Sequence, residues 1–198
     1  MLRLLLLIAC SSTAFALVPV KAVDCSNSPN KILHFDNYHV EQDPVLIPGN
    51  NSVDIDVHVL KPISGNHYKV TLSVTRKVLF GWVIVPCFQD PSQNTCTFEL
   101  CDILSGRSYN NTNHCPDEIL ASTPDFPCAC PFQPGTYHLN PTKIVIDHLS
   151  TALQFLAQGD YQAHVTITDT NTNEEVFCYN AQVSTKSSQC SGIQCIIG

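Results

Sequence analysis

Tyr161-Gln162-Ala163-His164-Val165-Thr166-Ile167-Thr168 alternates apolar and polar side chains without a break. A period of two puts Tyr161, Ala163, Val165 and Ile167 on one face of an extended chain, which reads as a strand with one covered face. The pattern recurs upstream. Val53, Ile55, Val57 and Val59 alternate with Asp54, Asp56 and His58, and Tyr68, Val70, Leu72 and Val74 alternate with Lys69, Thr71, Ser73 and Thr75. Downstream, Val176 to Val183 should pair back across the polar turn Asp169-to-Glu175 as a hairpin. Turn signals stand at Pro48-Gly49-Asn50, Ser64-Gly65-Asn66 and Pro134-Gly135. Half-buried strands separated by turns predict an all-β antiparallel sandwich.

Two stretches depart from alternation. Val78-Leu79-Phe80-Gly81-Trp82-Val83-Ile84-Val85 is apolar on both faces. It reads either as a central core strand or as a strand between core and an apolar ligand cavity, and periodicity does not separate the two. Leu149, Ala152, Leu153 and Leu156 follow helical spacing, with Ser150 near the start and Gly159 as a stop, predicting one short helix. It would be either a covering helix or a lip at a cavity mouth. Residues 87–135 hold six cysteines and many prolines with little periodicity. They read as a loop-rich insertion whose ordering needs covalent staples.

The first residues bear on the compartment. Arg3, the apolar run Leu4 to Ala9 and the small-x-small site Ala14-Phe15-Ala16 form a secretory signal over residues 1–16, with Val20-Lys21-Ala22 as a later cleavage option. The run is shorter than the roughly 20 apolar residues of a spanning helix. Removal of the signal leaves 17 acidic side chains against 8 or 9 basic ones, and no basic cluster. That argues against a nucleic-acid partner.

Of eleven cysteines, Cys10 lies in the signal. Ten remain, and an even count in a secretory chain predicts a disulfide framework of open connectivity. No Cys-x-x-Cys occurs, and the Cys128/Cys130 pair has no second Cys/His pair at zinc spacing, so neither a metal nor another cofactor is expected. Asn50-Asn51-Ser52 and Asn110-Asn111-Thr112 are glycosylation sequons, with Asn50 and Asn110 as acceptors. There is no Gly-x-Ser-x-Gly elbow, no His-Glu-x-x-His and no phosphate loop, and the adjacent Asp117 and Glu118 would diverge on a strand or be solvated in a loop. An enzyme is not expected.

Gly81-Trp82-Val83-Ile84-Val85-Pro86-Cys87, then Cys96-Thr97-Phe98-Glu99-Leu100-Cys101-Asp102-Ile103-Leu104, then Cys115-Pro116, and Pro127-Cys128-Ala129-Cys130-Pro131-Phe132-Gln133-Pro134-Gly135-Thr136-Tyr137 together resemble the ganglioside-activator branch of the MD-2-related lipid-recognition (ML) domain family. Ile47-Pro48-Gly49-Asn50, with its sequon, adds to the match. The resemblance covers residues 24–185 and implies an immunoglobulin-like sandwich opened into a lipid-binding β-cup. It implies the pairs Cys25–Cys178, Cys87–Cys96, Cys101–Cys130 and Cys115–Cys128. Cys190 and Cys195 fall in a tail, residues 186–198, beyond the match and are paired by elimination.

The implied function is a secreted or lysosomal protein that extracts a glycosphingolipid such as a ganglioside from membranes and presents it to a hexosaminidase-type glycosidase. The alternative within the same fold is a sterol or phospholipid carrier, or a lipid sensor acting with a receptor. On this reading Leu79, Trp82, Ile84, Phe98, Leu100 and Tyr137 surround the cavity, and Leu149, Leu153, Phe155 and Leu156 form its rim. Plain core packing is the competing role for each. The relatives carry a tryptophan near the helical segment, where Phe155 is the only aromatic here.

Overall fold

The structure, a computed structural model, describes residues 20–87, 89–105, 117–146 and 158–187. The described strands are β1 (Lys21–Asp24), β2 (Leu33–Val40), β3 (Val45–Leu46), β4 (Gly49–Val59), β5 (Tyr68–Val78), β6 (Gly81–Val85), β7 (Cys96–Glu99), β8 (Gly135–Ile146), β9 (Gly159–Asp169) and β10 (Glu174–Lys186). They form two sheets. The larger runs β1-β10-β9-β5-β6, with β3 also beside β10 and β7 beside β5; the smaller runs β2-β4-β8. Every pairing is antiparallel except the short β3–β10 contact.

The alternating segments became strands with the expected covered faces. Val70, Tyr161 and Ile167 of the larger sheet are buried, as is Val59 of the smaller. Val59, Val70 and Ile167 share a core with Ile32, Ile63, Leu100, Phe132 and Phe177. The β9–β10 hairpin closes through Thr170–Asn173, where Asn173 takes the left-handed conformation at φ 58° and its N–H donates to Asp169 O at 2.7 Å. Asparagine tolerates that region better than most residues. The turn signal at 64–66 precedes β5, and those at 48–50 and 134–135 run into the first residues of β4 and β8.

Tyr179 of β10 clips the two sheets together. Its hydroxyl accepts from Phe35 N–H at 3.1 Å on β2 and lies 3.1 Å from His34 Nδ1. Burial is the first cause that raises the phenol above its ordinary value. Lys21 and Ala22 of β1 pair with Gln182 and Ala181 of β10, and Ala22 N–H donates to Tyr38 Oη at 2.6 Å. Cleavage after Ala22 would delete these contacts. Of the two cleavage options in the sequence, these contacts favour the one after Ala16, with Leu17 as the expected amino terminus; N-terminal sequencing checks this, and a start at Val23 would contradict it.

Three disulfides join described cysteines: Cys25–Cys178, Cys87–Cys96 and Cys101–Cys130. Cys128 is disulfide-bonded as well. Cys115, Cys190, Cys195 and Asn110 lie outside the described residues, as do Leu149, Leu153, Phe155 and Leu156 with the helix expected there. The described part of the stapled insertion holds regular structure that its composition did not suggest. β7 joins the larger sheet on β5, end to end with β6, and the described residues that follow hold two short helices: α1 (Leu100–Leu104) and α2 (Asp117–Ser122). Each is too short to show a helical period. Instead α1 buries Leu100 and is held by Cys101–Cys130. The end of α2 is held on β8 by Ser122 Oγ against Thr142 Oγ1 at 2.6 Å and by Asn140 Nδ2 donating to Ser122 O at 3.1 Å. Asp117 and Glu118 open α2 on its exposed first turn, where acids complement the helix dipole.

Candidate functional site

The inner faces of the sheets do not meet completely. A cavity of about 260 Å³ lies between them. The smaller sheet contributes Leu33 and Phe35 from β2, Val57 and Val59 from β4, and Tyr137 from β8. The larger sheet contributes Val70, Val165, Ile167 and Phe177. Leu100, Ile103 and Leu104 of α1 close one side together with Ile63, Phe126 and Phe132 from the connecting segments. Every lining side chain is aliphatic or aromatic. The single polar handle, the Tyr137 hydroxyl, donates to Gln133 O at 2.8 Å. The lining offers water no hydrogen-bond partner, so the chemistry of the cavity is transfer of hydrocarbon out of water.

Of the six residues expected around the cavity, the structure brings Leu100 and Tyr137 to it. Phe98, on β7, packs against the adjoining core. Leu79, Trp82 and Ile84 do not line this cavity. They belong to the β5–β6 hairpin, and β6 is an edge strand with both faces open to solvent. Leu79 is 91% and Phe80 99% exposed, with Trp82 at 42% and Ile84 at 53%. The unbroken apolar run looked internal because an outward apolar surface and an inward one have the same composition.

That hairpin breaks the usual rule for turn residues. Val78 pairs with Gly81, so Leu79 and Phe80 form the two-residue tip, where Asn, Asp and Gly are normal. Gly81 sits at φ 138°, a conformation that strains any side chain. The base of the hairpin is fastened. Arg76 Nη2 donates to Gln158 O at 2.9 Å, and Lys77 Nζ lies 3.8 Å from Asp160 Oδ2, itself held by Ser184 Oγ at 2.7 Å. An apolar tip is thus presented on a secured stem.

Cavity-lining residues that the sequence reading did not assign to the site include Phe35, Phe126, Phe132 and Phe177. The alternation had already placed Val57, Val59, Val70, Val165 and Ile167 on covered faces, but alternation does not tell a filled interior from a void. Among the described residues, the one cluster at metal-ligand spacing is Cys25, His164 and Cys178, and its two sulfurs are joined in a disulfide. A disulfide sulfur is not a thiolate ligand.

The outer face of the smaller sheet is polar and carries a chain of carboxylates and imidazoles. Asp36 is bracketed by His34 Nε2 at 3.2 Å and by His58 Nε2, and Asp56 Oδ1 meets His138 Nδ1 at 2.6 Å. The Asn37 amide, and then His138, hold the Asp56 carboxyl below the usual range. For Asp24, partial burial pushes upward, but the Lys31 ammonium at 2.7 Å, the Ser26 N–H and His34 outweigh it and the carboxyl is lowered. A lowered native value adds stability above the ordinary carboxylate range, near pH 4, and that stability is lost as pH falls through the native value. Asp24→Asn is therefore expected to lower the thermal midpoint at pH 7 and pH 5 alike and to lose its effect only as pH falls below the ordinary carboxylate range, near pH 4. Thermal scans of both proteins over that range check this, and a gap that closes between pH 7 and 5 would contradict it.

A disulfide-stapled sandwich whose two sheets enclose an apolar cavity defines a protein built to surround a hydrophobic ligand. The chain belongs to the ML domain family, whose model matches residues 19–185. It is 31% identical over 148 residues to the ganglioside GM2 activator of Macaca fascicularis, covering 74% of this chain and 73% of that protein. It is 28% identical over 124 residues to the ganglioside GM2 activator of Mus musculus, covering 62% and 61%. Among solved structures, a Niemann-Pick type C2 protein from Japanese carpenter ant aligns over 83% of this chain and 98% of its own, at a TM-score of 0.40 and 12% identity.

Proposed function

We propose that this protein is a secreted or lysosomal lipid-transfer activator that withdraws a glycosphingolipid such as a ganglioside from a membrane and presents it to a hexosaminidase-type glycosidase. It has no hydrolytic step of its own. The observation that carries the reading is the wholly apolar cavity between the sheets of an ML domain. The names of the macaque and mouse relatives favour a ganglioside head group.

Each buried methylene contributes about 0.8 kcal/mol relative to water, so a tail of roughly ten carbons gains about 8 kcal/mol. The bilayer offers a similar gain, so extraction is close to balanced and release stays possible. The β5–β6 tip supplies the encounter. Leu79 and Phe80 enter the bilayer surface, and Trp82 rests at the interface, where its amphipathic ring is favoured. No helix among the described residues is long and apolar enough to cross a membrane, and on this reading contact is transient.

The test is transfer of labelled ganglioside between vesicles. Transfer that rises in proportion to protein concentration supports the reading, and transfer no faster than the spontaneous rate refutes it. The acidic balance adds a direction. With 17 acidic side chains against ten basic ones in the whole chain, the protein is repelled by anionic bilayers at neutral pH. Protonation of histidines near pH 5 reduces that repulsion. Transfer from anionic vesicles is expected to be faster at pH 5 than at pH 7.5, and the reverse order would favour an extracellular carrier.

A further inference from the structure

Phe177 and Tyr179 of β10 point into the core, so Cys178 and Asn180 face the outer side of the larger sheet. On that side Asn180 pairs with His164 of β9, and Cys178 pairs with Thr166, two residues further along. Cys25 follows β1 directly and reaches over Cys178. Both sulfurs and one ring nitrogen of His164 lie within 4.8 Å of one another. In the oxidised protein the sulfurs are joined, and the imidazole stands beside the bond. Two features do not depend on that bond. The first is position. Lys21 to Asp24 of β1 pair with β10, and Cys25 N–H donates to Cys178 O at 3.0 Å. None of these contacts uses sulfur, so reduction leaves both thiols on the same strands beside the same imidazole. The second is the tautomer. His164 Nδ1 lies 2.8 Å from Asn180 Oδ1, which only accepts, so Nδ1 carries the hydrogen and Nε2 keeps its lone pair. Metal-binding histidines are oriented in this way, with the second ring nitrogen donating to a fixed acceptor. His164 is exposed, which gives an ion a path from solvent.

We propose that the reduced form of this cluster is a zinc site, with Cys25 and Cys178 as thiolates, His164 bound through Nε2 and a fourth position left to water. Two sulfurs and one imidazole nitrogen are a donor set that suits Zn²⁺. Zn–S bonds of about 2.3 Å and a Zn–N bond of about 2.0 Å at tetrahedral angles put the donors roughly 3.5–3.8 Å apart. That lies inside the separation already present between the nitrogen and the sulfurs, and the sulfurs need only relax apart once their bond is cut. The step balances. A small dithiol gives two electrons and two protons and closes to its own disulfide, and the Cys25–Cys178 bond becomes two thiols. Zn²⁺ then displaces both thiol protons to solvent, leaving a neutral zinc dithiolate. The metal replaces the disulfide as the tie between β1 and β10. Because binding releases protons, the site holds zinc at neutral pH and loses it in acid. It is independent of the lipid reading.

The experiment treats the full secreted protein with a dithiol at pH 7.5, removes the reductant and adds iodoacetamide with or without Zn²⁺. Peptide mass spectrometry reads the alkylation of each cysteine separately. Zn²⁺ is expected to slow alkylation of Cys25 and Cys178 by about tenfold or more and to leave the other reduced cysteines unprotected. His164→Ala should remove most of that protection, and Asn180→Ala should weaken zinc binding by roughly 10–100-fold. Both side chains are exposed, so both variants should keep the parent's thermal midpoint while oxidised. If reduction unfolds the chain, Zn²⁺ is expected to restore the native circular dichroism of the parent but not that of Cys25→Ser combined with Cys178→Ser. No protection in the parent, equal protection of every cysteine, or protection that His164→Ala leaves unchanged overturns the site. So does a chain that unfolds on reduction and stays unfolded with Zn²⁺.

Discussion

Leu79→Ser combined with Phe80→Ser is expected to weaken binding to phospholipid vesicles by roughly a hundredfold while leaving the thermal midpoint unchanged. The two side chains are almost fully exposed at 91% and 99%, so they add nothing to the folded core. Surface changes of that kind usually stay within about 0.5 kcal/mol in stability. On the proposed encounter they are the first groups to leave water, and moving a leucine and a phenylalanine into hydrocarbon contributes about 1.5–3 kcal/mol each. Vesicle co-sedimentation gives the affinity, and a thermal scan gives the stability. Unchanged sedimentation would remove the hairpin from the membrane encounter. A fall in midpoint of several degrees would show that the tip packs on the protein instead.

The second large effect falls on the fold. Cys25–Cys178 closes a loop with a sequence separation of 153 and ties β1 to β10. In the chain-entropy model a loop of that length is worth about 5 kcal/mol, a large share of the ~5–15 kcal/mol that holds a typical domain folded. Cys87–Cys96, with a separation of 9, should contribute nearer 3 kcal/mol. Replacing Cys25 and Cys178 by serine is therefore expected to cost more in denaturant unfolding than replacing Cys87 and Cys96. The reverse order would mean that the unfolded chain already holds its ends close together.

These two cases also show where sequence reading stops. The period-two segments at 53–59, 68–75 and 161–168 gave strands and their covered faces correctly, because alternation responds to which side meets water. The cysteine neighbourhoods pointed to the family, and three of the implied bonds are formed. The hairpin misled because composition measures affinity for an apolar environment without saying what supplies it. Trp82 and Ile84 fit a core strand or a cavity wall by composition alone, and they stand on an exposed edge strand. Phe126 and Phe132 gave no periodic signal. They reach the cavity through irregular segments set by the Cys101–Cys130 staple and by the Ile63–Phe132 bridge. Long-range covalent and backbone links of that kind leave no local pattern to read.

The central claim is that a lipid tail occupies the space between the two sheets. Native mass spectrometry of the purified secreted protein, incubated with ganglioside-containing vesicles at pH 5, tests it most directly when compared with Val165→Trp, a substitution that fills the cavity from β9. A protein–lipid adduct of the ganglioside mass is expected in the parent and is expected to be lost in the folded variant. A parent protein that stays lipid-free, or a variant that carries the adduct as well as the parent does, would contradict it.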